Sequence, residues 1–582
     1  MIKMWQNLNP EDVIIGKNAI ENLTEGMYKN PLIIYREYIQ NAADGIDEAK
    51  SAGIYKPGEK PEIDIDVDPE KRFIRISDNG IGVKNADWHS LINIADSEKD
   101  REVNKGFRGI GRLGGLAYCT TLRFITSHIG ESVKTIIEWN AKQLMQLIND
   151  RSVKMTSAEI IAQVVRVSED IEDSNKHYFI VELEGIKESK RKDIESTSDL
   201  VNLERVKNYI AQTAPVDYDT GFLQFSNKIL KFSSENQLPL ITYNVNVDGS
   251  AIFKNYRKAL YYIGEEKKKV VYDELADIRF HTFYSANGEV LAWLWYGISQ
   301  FAKKIPENAN SDIRGILLRK DNIQIGEGSN TIAHLHKEKY RGNDYFVGEL
   351  HAVHPNLIPN SRRDYFIEND TLEELEEVVS EFFKEKLYSL YQTASDARGY
   401  YTAVETVVKL QTELDEKSAG QEFVSGKEIE VIQEKLDVAK KNAEKKEKKL
   451  SKKIQNSDLD PEIKLTIDLN KKSHLKKVDE IKKVQQKNLA KKGETTPSVS
   501  ADSQDNKKTD IPVLPSDKQE SQKPKDDAGE GSETCTISSK LINLTKKERK
   551  IVDCVYSVIY DVLPNEDCKS LINKIQAELL KL

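Results

Sequence analysis

Residues 35–49 read YREYIQNAADGIDEA. Alanines, Glu, Gln and Ile without a proline make a good helical sequence. Glu37, Asn41 and Asp44 stand at i, i+4 and i+7, which places them on one face. A carboxylate one turn from a carboxamide suits a site where a metal and a water are held together. Asn41 can offer its side-chain oxygen to Mg²⁺, and Glu37 can orient or deprotonate a water. Taken alone, the same pattern also describes a polar outer face. Just downstream, PEIDIDV (61–67) and RFIRISD (72–78) alternate apolar and polar residues and are joined by DPEK. They predict two neighbouring strands beside the helix.

The second strand runs into ISDNGIGV (76–83). A carboxylate at a strand end, here Asp78, can accept the exocyclic amine of adenine, and Gly80 and Gly82 let backbone approach a flat base. An ordinary Asp-Asn-Gly turn has the same letters. The third segment, KGFRGIGRLGGLAYC (105–119), places Gly106, Gly109 and Gly111 ahead of an apolar helix start. Backbone N–H groups there can wrap phosphates, although a flexible loop has the same composition. No GxxxxGK[ST] occurs, so this is not a Walker A loop.

In this order the three segments resemble the N, G1 and G2 boxes of the GHKL ATPases: gyrase, the ninety-kilodalton heat-shock chaperones, histidine kinases and MutL. REYIQNAADG is most similar to the heat-shock chaperone helix, and GFRG is also how MutL proteins begin their G2 box. The resemblance implies a Bergerat-type ATP-binding α/β sandwich with Glu37 as catalytic base, Asn41 as Mg²⁺ ligand and Asp78 as adenine reader. Asp44, Gly80 and Gly82 would complete the nucleotide contacts. Gly106, Gly109 and Gly111 would belong to a phosphate-covering lid over roughly residues 88–115. Further on, HAVHPNLIPNSRRDYF (351–366) resembles the chaperones' middle-domain loop. That match makes Arg363 the arginine that crosses to the γ-phosphate, with Arg362 the alternative one register away. The family's Gly-Thr on the last strand of the pocket is missing, and HYFIVELEGI (177–186) is the candidate for that strand.

The expected architecture is α+β. An ATP-binding domain covers residues 1–235 and a transducer-like α/β domain covers 236–395, with strands in GILLRKDNIQIG and YFVGELHAV and a helix from 371. A basic helical region spans 396–492. There Ile429, Ile432, Leu436, Ala439, Ala443 and Leu450 follow a heptad with Lys446 as the missing member, and Asp460-Pro461 starts another helix. An antiparallel hairpin or a coiled coil pairing two chains is expected. Residues 493–540 read as a disordered linker and 541–582 as a two-helix module.

The chain has 582 residues, yet residues 424–555 contain no aromatic residue, so a packed core belongs mainly to the first 423. The start lacks the basic-then-apolar layout of a signal peptide, and no apolar run approaches a membrane span. The four cysteines form no CxxC pair, which favours a reducing cytoplasm. Histidine pairs 334/336 and 351/354 lack the carboxylate or thiol partners of a zinc site. Net charge is −9, but residues 440–492 carry 18 Lys against 8 acidic residues. This run is a solvated helical surface or a nucleic-acid contact. The leading expectation is an ATPase clamp, chaperone-like, that binds ATP with Mg²⁺, pairs at least transiently with a second copy and grips a protein client. The alternative is a MutL/MORC-like DNA-associated ATPase, including a component of a prokaryotic defence system. A histidine kinase is disfavoured because only 36 residues precede Glu37, too few for a phosphoacceptor helix.

Overall fold

The computed structural model describes residues 15–24, 30–94, 111–188, 197–306, 312–420, 425–455 and 460–493. The chain divides into two units, Met1–Pro497 and Ser498–Leu582. The expected linker and two-helix module lie outside the described residues. Among the described residues, no helix is long and apolar enough to cross a membrane.

The first layer is an eight-stranded sheet: β1 (Glu62–Asp68), β2 (Phe73–Asp78), β3 (Thr121–Ser127), β4 (Val133–Trp139), β5 (Val165–Ile171), β6 (Tyr178–Glu184), β7 (Asn244–Val247) and β8 (Ser250–Ala251). Their order is β5-β4-β3-β6-β2-β1-β7-β8. β1 and β2 pair antiparallel with Ile63 opposite Asp78 and Ile65 opposite Ile76, so the alternation seen in the sequence sends one set of Ile and Val inward. HYFIVELEGI supplies β6, which lies centrally between β3 and β2.

Helices α1 (Asn18–Thr24), α2 (Ile33–Ser51), α3 (Ala141–Asn149), α4 (Ser157–Val164) and α5 (Leu203–Thr213) accompany this sheet. α2 is the helix expected from YREYIQNAADGIDEA. Its Tyr35, Ile39 and Ala43 share one core with Ile65, Ile76 and Leu183 of the sheet. α4 begins with a full capping box, Thr156 with Glu159.

The second layer combines α6 (Leu223–Glu235), a ribbon of β9 (Ala259–Ile263) and β10 (Lys269–Glu274), and a sheet. That sheet contains β11 (Asp277–Tyr284), β12 (Val290–Ile298), β13 (Gly315–Lys320), β14 (Ile323–Gln324) and β15 (Val347–Ala352), ordered β11-β12-β15-β13-β14. β12 reads VLAWLWYGI without alternation because both of its faces are covered.

The two layers do not separate at residue 235, where the sequence suggested a boundary. Phe222, Phe225 and Ile229, around α6, pack with Trp293 and Trp295 of the second sheet. Tyr243, Val245 and Val247 then return to the first core, where β7 pairs parallel with β1. The chain therefore enters the second layer, goes back to complete the first sheet, and leaves again.

Beyond lie α7 (Asp370–Phe382), a π-helical turn (Phe383–Leu387), α8 (Tyr388–Gly420), α9 (Gly426–Gln455) and α10 (Pro461–Gly493). Asn369 caps α7 by accepting from the Leu372 N–H. The heptad stripe of α9 is buried at Ile432, Leu436 and Leu450, whereas Ile429 is exposed. Both α9 and α10 pack on α8 of the same chain, where Ala397, Leu450 and Ile467 form a small core. The stripe that suggested a pairing helix is occupied by α8. Lys446, the odd member, reaches across with its Nζ donating to the Gly399 carbonyl at 3.1 Å.

Candidate nucleotide site

The face of α2 that carries Glu37, Asn41 and Asp44 is turned inward. Glu37 and Asp44 are buried and Asn41 is half-buried, so this is no polar outer face. Polar groups buried at this level need partners or a function.

The strand end after β2 comes to the same helix. Asp78 is buried, and its Oδ1 accepts the Gly80 N–H at 2.8 Å. A Cβ on Gly80 would stand 2.6 Å from the Gly45 carbonyl carbon, so only glycine lets this loop lie on α2. The Ile81 N–H donates to the Gly45 carbonyl at 3.0 Å and stitches the contact. Gly82 has φ +71°, and a Cβ there would run into the Ser127 carbonyl. Two groups unmarked by the sequence support the loop. The Thr126 hydroxyl accepts from the Val83 N–H (2.8 Å), and His177 Nδ1 meets the Gly80 carbonyl (2.9 Å).

From the third segment, Gly111 lies against the catalytic candidate: a Cβ on it would collide with Glu37 Oε2. Tyr38, the next residue on α2, receives the Gly115 N–H on its hydroxyl at 3.1 Å and donates to the Arg112 carbonyl at 3.2 Å. Gly106, Gly109 and most of the expected lid lie outside the described residues.

The remaining side of Glu37 is formed by arginines. Arg36 Nη2 is 3.3 Å from Glu37 Oε1, and Arg363 Nε is 3.4 Å from the same oxygen. Arg363 comes from the second layer, on the turn closed by the Pro359–Phe366 bridge. Its N–H donates to the Asn360 carbonyl, its carbonyl accepts the Gly326 N–H, and its φ of +54° is unusual for a non-glycine residue. Arg362 is exposed, and its carbonyl accepts from Arg36 Nη2 at 3.4 Å. Of the two registers left open by the sequence, the side chain that meets Glu37 is Arg363. Nothing in the sequence marks Arg36, although it lies within YREYIQNAADGIDEA. Its role depends on Arg363 arriving beside it, which no local pattern encodes.

A second buried charge centre ties the layers together. Glu349 on β15 accepts from Lys254 (3.1 Å), Trp295 Nε1 (3.1 Å), Tyr218 (2.6 Å) and Tyr256 (3.1 Å), and pairs with Arg319. Arg319 also donates to the Gln212 carbonyl in α5 at 2.8 Å. Burial opposes the charge on Glu349, but Arg319 and Lys254 outweigh it and hold its carboxyl well below the usual range. Burial and the Arg319 guanidinium push Lys254 down to about 7. The neighbouring His351 stacks on Trp293 (centroids 4.2 Å apart), and His336 stacks on Phe383 (4.3 Å).

A buried acidic helix, a glycine-wrapped aspartate at a strand end and a glycine segment closing on the helix form the arrangement that the resemblance to a GHKL-type sandwich implies. The comparisons agree. Residues 34–173 match the family of histidine kinase-, DNA gyrase B-, and HSP90-like ATPases. The chain is similar to the chaperone protein HtpG of Fusobacterium nucleatum subsp. nucleatum, 40% identical over 72 residues, 12% of each chain. It is also similar to HtpG of Campylobacter jejuni subsp. doylei, 29% identical over 153 residues, 25% of this chain and 20% of the relative. For HtpG of Halorhodospira halophila the identity is 27% over 150 residues, 25% of this chain and 19% of the relative. The N-terminal part of the chain is thus similar to the ATPase domains of this family, and the relatives it resembles are HtpG chaperones. The chain spans about a fifth or less of the length of these relatives.

Proposed function

We propose that this chain is an ATP-driven conformational clamp that hydrolyses ATP to ADP and phosphate and couples turnover to gripping or remodelling a protein partner. The observation that carries this reading is the contact between Glu37 of the first layer and Arg363 of the second, 3.4 Å apart. In the proposed cycle Asp78 accepts a hydrogen bond from the adenine amine, and backbone at Gly80 and Gly82 lies along the base. Gly106, Gly109 and Gly111 belong to the segment that covers the phosphates. Glu37 takes a proton from the attacking water, while Arg363 exchanges its carboxylate contact for a γ-phosphate oxygen. Phosphoryl transfer needs mainly positioning and charge stabilisation, so a site shared between two layers makes hydrolysis depend on their closure.

The donor set suits magnesium delivered with the nucleotide. A carboxamide oxygen from Asn41 is the hard ligand this ion takes, with phosphates and water filling the other positions. The ion would supply charge neutralisation at the phosphates, held on the protein side by Asn41, with Asp44 among the nucleotide contacts.

Pairing with a second copy, at least transiently, belongs to this reading, as does a cytoplasmic setting. The domain limits proposed are an ATP-binding layer closed by β7 and β8, a transducer-like layer to about residue 395, and a helical region to 492. A second reading, a DNA-associated ATPase, is favoured by the exposed lysines of α9 and α10, among them Lys441, Lys445, Lys448, Lys472 and Lys483. DNA retention that falls steeply with salt would select it over a chaperone.

The test is Glu37→Ala. ATP affinity should stay within a few-fold of wild type while turnover falls at least ~100-fold, the usual scale for a lost general base. Affinity capture with ATP should then retain the partner on a stalled clamp. Turnover near wild type would remove Glu37 from the role.

A further inference from the structure

Among the described residues, β5 is an outer edge of the eight-stranded sheet, with β4 on one side and no strand on the other. Every residue of it after Val165 is exposed, and Ile171 is 91% exposed. Its sequence, VRVSEDI, has no proline or glycine. Its pairing with β4 runs from Val133–Ile171 to Trp139–Val165 without a bulge. A straight edge of this kind presents backbone N–H and C=O groups to any strand that can match it.

Two hydrogen bonds at the ends of the ladder identify those groups. The Asn140 N–H donates to the Val164 carbonyl (2.8 Å), and the Glu172 N–H donates to the Ser132 carbonyl (3.0 Å). Bonding alternates along an antiparallel pair, so Arg166, Ser168 and Asp170 turn their N–H and C=O groups toward β4. Val165, Val167, Glu169 and Ile171 turn theirs outward. A second β5 laid antiparallel is in phase when outward residues oppose outward residues. With Ser168 on the two-fold axis, Val165 opposes Ile171, Val167 opposes Glu169 and Arg166 opposes Asp170. Within β5, no other in-phase register sets opposite charges against each other.

The neighbouring strand extends the match. On β4, Glu138 pairs with Arg166, and Lys134 Nζ lies 3.8 Å from Asp170. The register above continues both pairs into one row of alternating charge: Glu138, Arg166, then Asp170 and Lys134 of the second copy. On the other face it gives the exposed Ile171 an apolar neighbour in Val165, which lies beside the buried Trp139. We propose that β5 is a docking edge for a second copy of this chain, and that two copies pair antiparallel about Ser168 and join their first sheets into one. The edge is its own complement, as a two-fold interface requires. This deepens the clamp reading, on which it rests for the pairing of two copies.

The experiment uses the full chain with Cys535→Ser, Cys554→Ser and Cys568→Ser, which leaves the buried Cys119, with and without ATP and magnesium. A residue on the axis, in a pair without mutual backbone bonds, meets its own copy at about 4.5 Å between Cα atoms, within disulfide reach. Mild oxidation should therefore convert Ser168→Cys into a covalent dimer. Asp170→Cys should stay monomeric, because its two copies stand roughly 13 Å apart along the strands. Without the cysteine changes, Val167→Pro removes an outward N–H and no bond to β4. It should raise the dissociation constant of self-association at least ~10-fold in sedimentation, with an unchanged circular dichroism spectrum as the check on folding. Arg166→Glu should raise it by about 10-fold, since symmetry sets the new charge against Asp170 twice. Absence of the Ser168→Cys cross-link, or self-association untouched by Val167→Pro, would overturn this surface while leaving two copies free to pair elsewhere. A wild-type chain that stays monomeric in every nucleotide state would overturn the surface and remove the pairing from the clamp reading as well.

Discussion

Glu37 receives two guanidiniums on a single oxygen, and its other oxygen faces Gly111. Each neighbour has a different expected effect when removed. Arg363→Ala should lower turnover about 100-fold or more, the scale of a lost preorganised charge donor, while ADP affinity barely changes because ADP lacks the γ-phosphate. Arg363→Lys should rescue poorly, since an ammonium cannot reproduce the fork. Arg362→Ala is the control for turnover, and if it proves the essential residue the register of the loop has been misassigned. Steady-state ATPase rates alongside ADP titrations separate these outcomes. Asp78 acts at another step. Asp78→Asn should abolish adenine-nucleotide binding and leave the circular dichroism spectrum unchanged, because an amide can present a donor where the amine needs an acceptor. Unchanged ATP affinity in that variant would end the assignment.

At the scale of elements, glycine contacts explain how short motifs place a helix and a strand end together. Gly80 brings the loop after β2 onto Gly45 of α2, and Gly111 brings the G2 segment onto Glu37. Both requirements follow from the absence of a Cβ, and both were legible as glycines in the sequence. The heptad of α9 was legible too, but its partner was not. A stripe of apolar residues specifies that something covers it without naming what does, and here α8 covers it from within the chain. Lys446 interrupts this stripe and is half-buried against α8. Lys446→Leu should raise the denaturation midpoint by an amount equivalent to roughly 1 kcal/mol, because burying more apolar surface outweighs one amine–carbonyl bond to a helix backbone. A lower midpoint would show that the bond matters more than the packing.

Across the whole molecule, the Glu349 centre joins β15, β13, the Lys254 segment and α5. With the Glu37–Arg363 pair, it is one of the places where buried charge lies between the layers. Glu349→Gln keeps the shape but leaves Arg319 and Lys254 buried without their counter-charge. The expected cost is about 3 kcal/mol or more, measured by chemical denaturation. ATPase activity should fall with it, since Arg363 reaches Glu37 only while the layers are joined. A variant as stable as wild type would mean that the tyrosines and Trp295 hold the layers without the carboxylate's charge.

Local chemistry was readable before any coordinates. Periodicity identified α2, β1 and β2, and the spacing of Glu37, Asn41 and Asp44 placed them on one helical face, because a helix repeats over a few residues whatever surrounds it. The order of the three glycine- and acid-bearing segments pointed to the nucleotide fold through their resemblance to the N, G1 and G2 boxes of the GHKL ATPases. Facts that depend on residues far apart in the chain were not readable. The interleaving of α6 with the second core and of β7 with the first is one. The capture of the α9 stripe by α8 is another, and so is Arg363, rather than Arg362, facing Glu37 from 326 positions away. These outcomes depend on which buried surfaces find each other when the chain closes, and that choice is made by packing across the whole molecule rather than by the pattern of any one segment.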